Sequence, residues 1–166
     1  MIKELGQAVR WFQNAVRDAL NGLRSPVTDL RGQLVLLVYD DPKGKEKLPY
    51  YDTAPLVFVL HTGPGYILGL NVHYLHPFQR KIMVEALMAY TEKTEEHLKL
   101  KFEYMDIANF VRSKHAKVCL KRYDTKRVAN WMMISPLDWG NVLYLPIYDF
   151  KKASVVQVWK ESREKL

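Results

Sequence analysis

The chain has 166 residues, 48% hydrophobic and 26% charged, which is enough to bury one sizeable core and too apolar for disorder to be the default. Its 25 Lys and Arg against 18 Asp and Glu leave a net charge of +7, and its one cysteine, Cys119, rules out an internal disulfide framework and fits assembly in a reducing cytosol. No stretch approaches the roughly eighteen apolar residues that span a bilayer, and the N-terminus lacks the apolar core of a signal peptide, so a soluble protein with no membrane partner is expected.

Residues 2–23 carry apolar side chains at Ile2, Leu5, Val9, Phe12, Val16, Ala19 and Leu23, alternating steps of three and four that predict an N-terminal helix with a narrow seam. Lys3, Arg10, Arg17 and Arg24 recur every seven residues as a basic stripe on another face, and Asn21-Gly22 and Ser25-Pro26 end the helix. Three runs rich in Val, Leu, Ile and Tyr then predict strands at Leu34 to Tyr39, Leu56 to His61 and Tyr66 to His73. Thr62-Gly63-Pro64-Gly65 predicts a hairpin between the second and third. The link from Asp40 to Pro55, dense in turn formers and aromatics, reads as an ordered, exposed loop over the mouth of a barrel.

A helix is expected after His76-Pro77, burying Ile82, Met83, Ala86, Leu87 and Tyr90. Another is expected over about Asp106 to Tyr123, with Ile107, Phe110, Val111, Val118 and Cys119 inward and Lys114, Lys117 and Lys121 along one exposed side. From Lys99 to Arg127 nine Lys or Arg face three Asp or Glu, so a local net charge of +6 carries most of the chain's basicity. Further strands are expected at Val128 to Ile134 and Val142 to Leu145, joined by a helical turn at Ser135-Pro136. Together these elements predict an α+β fold: a small five-stranded antiparallel, SH3-like, partly open barrel with an N-terminal helix, inserted helices and a C-terminal arm. Residues 1–150 are expected to form one domain and 151–166 the arm, anchored by Trp159 on its own barrel or on another subunit.

The enzyme templates are missing: there is no phosphate-binding Gly-rich loop followed by Lys-Ser or Lys-Thr, no His-Glu-x-x-His, no paired cysteines and no nucleophile elbow. His61, His73, His76 and Asp52 make a weak set of metal ligands, better explained by structural hydrogen bonds. Asp40, Asp41, Glu46, Asp52, Asp138 and Asp149 read as turn and cap residues before they read as acid–base pairs. Cys119 has no partner base. The expected protein is therefore no enzyme, with no cofactor, no metal and no small-molecule substrate. Its contact candidates are Trp11, Phe12, Tyr50, Tyr51 and Trp159, because aromatic side chains bury much area at little rotamer cost. Lys114, Lys117, Lys121, Arg122, Lys126 and Arg127 are the candidates for phosphate, by backbone contact without sequence reading.

The segments YDDPKGKEKLPYYDTAPLVFVL (39–60), GLNVHYLHPFQRKIMVEAL (69–87), KRYDTKRVANWMMISPLDWGNVLYLP (121–146) and VWKESREKL (158–166) resemble a group of small virion proteins of contractile-tailed phages. The resemblance rests on the motifs at Lys47 to Asp52, Gly69 to Leu75 and Val158 to Arg163. His76 departs from it, standing where that group has a proline beside Pro77. The resemblance implies a non-catalytic structural component of the tail, neck or baseplate, assembled in the host cytoplasm and resident in the virion. Its implied partners are other virion proteins and itself. The alternative implied function is a protein that binds duplex DNA and protects the ends of the packaged genome.

Overall fold

The computed structural model describes residues 30–83, 114–134 and 150–166, with positions 7, 10, 13, 14, 17 and 138 besides. Strand β1 (Leu34–Tyr39) is the hub of the sheet because its run LVLLV is apolar on both faces, the pattern of a strand covered twice. Leu34 and Leu36 enter one core with Phe58, Leu60, Leu70, Tyr74, Met83, Cys119, Phe150 and Val158. Val35 and Leu37 enter a second with Val57, Val59, Ile67 and Tyr123. Each fully buried aliphatic side chain contributes about 1.5–3 kcal/mol, so the two cores fix the register of β1 against slippage.

In chain order follow α1 (Pro42–Lys47), β2 (Tyr51–Asp52), β3 (Leu56–Gly63), β4 (Tyr66–Asn71) and a 3-10 turn at Val72–Tyr74. Residues 77–83 are helical. Then come α2 (Lys114–Cys119), β5 (Leu120–Asp124), a 3-10 turn at Thr125–Arg127, β6 (Val128–Met133), β7 (Phe150–Lys151) and α3 (Val155–Glu164). Five strands form one antiparallel sheet in the order β5-β4-β3-β1-β6, while β2 and β7 pair separately. The hairpin between β3 and β4 closes on Pro64-Gly65, with Gly63 opposite Tyr66 and Gly65 at φ +77°, the Pro-then-Gly arrangement of a type II turn. A bulge at Leu60, between Val59 and His61, bends β3 over its core.

The α+β class and the five antiparallel strands agree with the sequence, but the sheet is not closed: among the described residues β5 and β6 share no ladder and remain its two edges. The strand inventory also differs. Residues 120–124 were expected as the end of a helix and instead form β5, because pairing from Leu70 to Tyr66 along β4 outweighs a weak helical preference. The expected strand at 142–145 and the turn at Ser135-Pro136 lie outside the described residues. The loop over 40–55 is ordered as expected, yet it contains α1 and β2, with Pro42 at the first helical turn. Ile82, expected inward, is 39% exposed, whereas Arg80 beside it is fully buried and donates from Nε to Leu75 O at 2.7 Å. His76, in place of the proline, accepts from Phe78 N and so starts that helix with a ring nitrogen. Of the N-terminal helix, the described positions Gln7, Arg10, Gln13, Asn14 and Arg17 are helical and exposed, and the seam with Trp11 and Phe12 lies outside the described residues.

Gly69 occupies the middle of β4, flanked by β3 and β5. A Cβ there would lie 2.3 Å from Val57 Cγ1 and 2.5 Å from Phe58 O, and the carbonyl cannot yield without breaking the ladder. Gly69→Ala is expected to destabilise the protein by about 2–3 kcal/mol through overpacking, read as a lower midpoint in urea at unchanged slope.

Candidate nucleic-acid interface

Six cations lie in fourteen consecutive residues that run from α2 through the edge strand β5 into the 3-10 turn: Lys114, Lys117, Lys121, Arg122, Lys126 and Arg127. The rises of helix, strand and 3-10 turn give this segment a contour of about 30 Å, close to one turn of duplex DNA. Lys114, Lys117, Arg122 and Lys126 are exposed, whereas Lys121 and Arg127 are half-buried. The turn is held firmly: Asp124 accepts from Lys126 N at 2.9 Å, and Thr125 N donates to Gly65 O at 3.0 Å. Arg122 stands over Tyr66, its guanidinium carbon 4.1 Å from the ring centroid. Arg127 faces Asp41, Nε to Oδ1 3.4 Å. The sequence placed Lys121 on a helix face with Lys114 and Lys117; it stands instead on β5, its ammonium 4.1 Å from the centroid of Tyr74, and burial lowers its pKa.

A cavity of about 240 Å³ opens beside this edge. Its walls include Tyr39, Tyr51, Tyr74 and Tyr123, and Lys45, Lys121 and Arg122 stand among them with Asp41. A more open depression of about 500 Å³ adjoins it across Tyr39, Asp41 and Arg122 and reaches Tyr66 and Lys126. Burial, the leading cause in each case, raises the pKa of Tyr39, Tyr74 and Tyr123, so these phenols stay neutral at physiological pH.

The cavity is lined in part by a buried polar network: the sequence pointed to structural hydrogen bonds for His73 and Asp52 but not to their joining Asn71 and Tyr123. Asp52 Oδ2 accepts from His73 Nδ1 at 2.7 Å and from Asn71 Nδ2 at 3.1 Å, while Asp52 Oδ1 accepts from Ala54 N at 3.0 Å. Asn71 Nδ2 also donates to Tyr123 Oη at 3.1 Å, and Asn71 Oδ1 accepts from His73 N. Each of these groups would be costly alone in the interior; the Asp52 carboxylate, the Asn71 amide and the Tyr123 hydroxyl bond within the network, and His73 joins it through Nδ1 and its backbone N–H. Polar residues at 71 and 73, beside an otherwise apolar strand, were the available signal.

The aromatic candidates sort differently from expectation. Tyr50 packs within its own chain, 5.9 Å from Phe150 and 6.1 Å from Tyr74, and its hydroxyl is pushed up to about 12 by burial and then by Glu161. Trp159 donates from Nε1 to His73 O at 3.3 Å and meets His76 edge-on at 4.9 Å, so the C-terminal helix is anchored on its own chain. Of the candidates among the described residues, Tyr51 alone lines the cavity. The histidines of the weak metal set take separate partners, His61 packing on Tyr66 and His73 bonding Asp52. Cys119 is buried, its thiol pushed up to about 12, and sits 3.5 Å from both Met83 Sδ and Ala116 O.

A family model described as phage T4 terminal DNA protecting protein matches residues 3–162. The chain belongs to the phage T4 terminal DNA protecting protein family. No curated protein and no solved structure matches it. The family match favours the DNA-end alternative over the tail, neck or baseplate reading, and corrects the order in which the sequence ranked them.

Proposed function

We propose that the chain binds the ends of linear duplex DNA in the phage particle and shields them, using Lys114, Lys117, Lys121, Arg122, Lys126 and Arg127 on the phosphates. The observation that carries this is the run of these six cations over fourteen residues from α2 across the edge strand β5 into the following 3-10 turn, in a member of a terminal DNA protecting family. Phosphate contacts release counterions and do not depend on sequence, which suits a protein that must hold any terminus it meets. Shielding needs occupancy only, so the protein works without chemistry, in the virion, after assembly in the host cytoplasm. We read the five-stranded sheet as a partly open SH3-like barrel, supported by a 3-10 turn of three residues joining its two edge strands. That turn holds Lys126 and Arg127 at the seam.

The test is binding to one duplex sequence in linear and closed circular forms across a salt series, with exonuclease digestion of the linear form alongside. Tighter binding to the linear form, weakening steeply with salt, together with slower digestion is expected. Equal affinity for both forms would overturn the reading.

A further inference from the structure

We infer that the 240 Å³ cavity takes one unpaired terminal nucleotide, so that the protein grips a frayed or overhanging DNA end rather than a blunt one. This deepens the end-binding reading and rests on it. The cavity is too small for a duplex and has the aromatic walls of a single-strand site, with the half-buried Tyr51 as the ring on which any base can stack, while Tyr74 is already covered by Lys121 and Phe150 and only closes the wall. Lys121 stands over Tyr74 and Arg122 marks the boundary with the open depression, where Lys126 is exposed. Duplex backbone along the depression would therefore bring its last nucleotide to the mouth of the cavity, with cations at the crossing.

The floor decides what kind of recognition is available. The oxygens of Asp52 and the amide of Asn71 are engaged with His73, Ala54, Tyr123 and each other. They are spent on holding the cavity open and do not offer a free pattern to a base edge. A base would be held by its faces, and capture would tolerate all four bases. That is the specificity an end protector requires.

The experiment compares one duplex as a closed circle, as a blunt linear molecule and as linear molecules with one unpaired nucleotide, 5′ or 3′, carrying 2-aminopurine at that position. An overhang in at least one polarity is expected to bind about ten-fold more tightly than the blunt end. The 2-aminopurine emission should change in proportion to binding, and in Tyr51→Ala the ratio of overhang to blunt affinity should fall towards one. If linear DNA outcompetes the circle but overhang and blunt ends bind alike and the emission of the wild-type complex is unchanged, the cavity proposal fails and end binding stands. If linear and circular forms bind alike, end binding itself fails. The fluorescence arm uses the wild-type protein, so it decides even if the variant folds poorly.

Discussion

Asp52→Ala is expected to lower the stability of the folded protein by about 3–5 kcal/mol, because it strips three donors of their common buried acceptor. Asp52 is 7% exposed, and His73 and Asn71 are at 0% and 1%, so the lost bonds are those of buried groups. At the size of this chain each kcal/mol is worth about 2–4 °C, which makes the expected fall in melting temperature roughly 10 °C. Asp52→Asn keeps the shape and one acceptor oxygen and should cost less, about 1–3 kcal/mol. Thermal and urea unfolding of the two variants checks the order. If Asp52→Ala melted with the wild type, the network would be incidental to the fold. The position lies in β2, whose pairing with β7 ties the loop after β1 to the C-terminal segment, so the loss should spread to both.

Neutralising Lys114, Lys117 and Lys126 together, each to Gln, should weaken duplex binding by about a hundred-fold or more at 0.1 M salt and reduce the salt slope by about three. The three are exposed, and substitutions of that kind usually move stability by no more than about 0.5 kcal/mol each, so lost binding will not be mistaken for lost folding. Arg122 and Arg127 are poorer choices, since one stacks on Tyr66 and the other faces Asp41. A control with the same change in charge is Lys43, Lys47 and Lys160 to Gln, all exposed and outside the edge segment. A uniform charge effect would make the two sets equal. An edge-centred interface makes the control several-fold milder. Titrations at three or more salt concentrations separate these outcomes by slope as well as by affinity.

What could be read from the residues was what local chemistry decides. The apolar runs of β1 and β3 and the Pro64-Gly65 turn carry their own instructions, and the structure places them within a residue or two of expectation. Strand β5 was hidden because Lys114, Lys117 and Lys121 happen to keep helical spacing across the boundary at Cys119. Only the partner strand β4 decides that Leu120 to Asp124 extend. The cations were legible as a charge cluster, but their spread from α2 across the edge strand into the 3-10 turn was not. The cavity was less legible still, since its floor joins Asp52 to residues 19 and 21 positions away and to Tyr123 at the other side of the chain. Polar side chains that satisfy each other across such separations leave no period in a sequence.

Placing β6 against β1 has a consequence for how the chain comes into being. Tyr39 ends β1 and Val128 begins β6, with residues 40–127 between them, so one side of the most apolar strand stays without its partner until the chain is nearly made. At about 5–20 residues per second on the ribosome, that interval is on the order of 5–20 s. During it β3 can already pair along the other side, because only residues 40–55 separate them, while the edge awaiting β6 is open to a neighbouring chain. Contacts this distant in sequence also make folding slow, on the scale of milliseconds to seconds once the chain is complete. Yield on expression is therefore expected to respond to temperature and synthesis rate during that window as well as to the stability of the finished sheet.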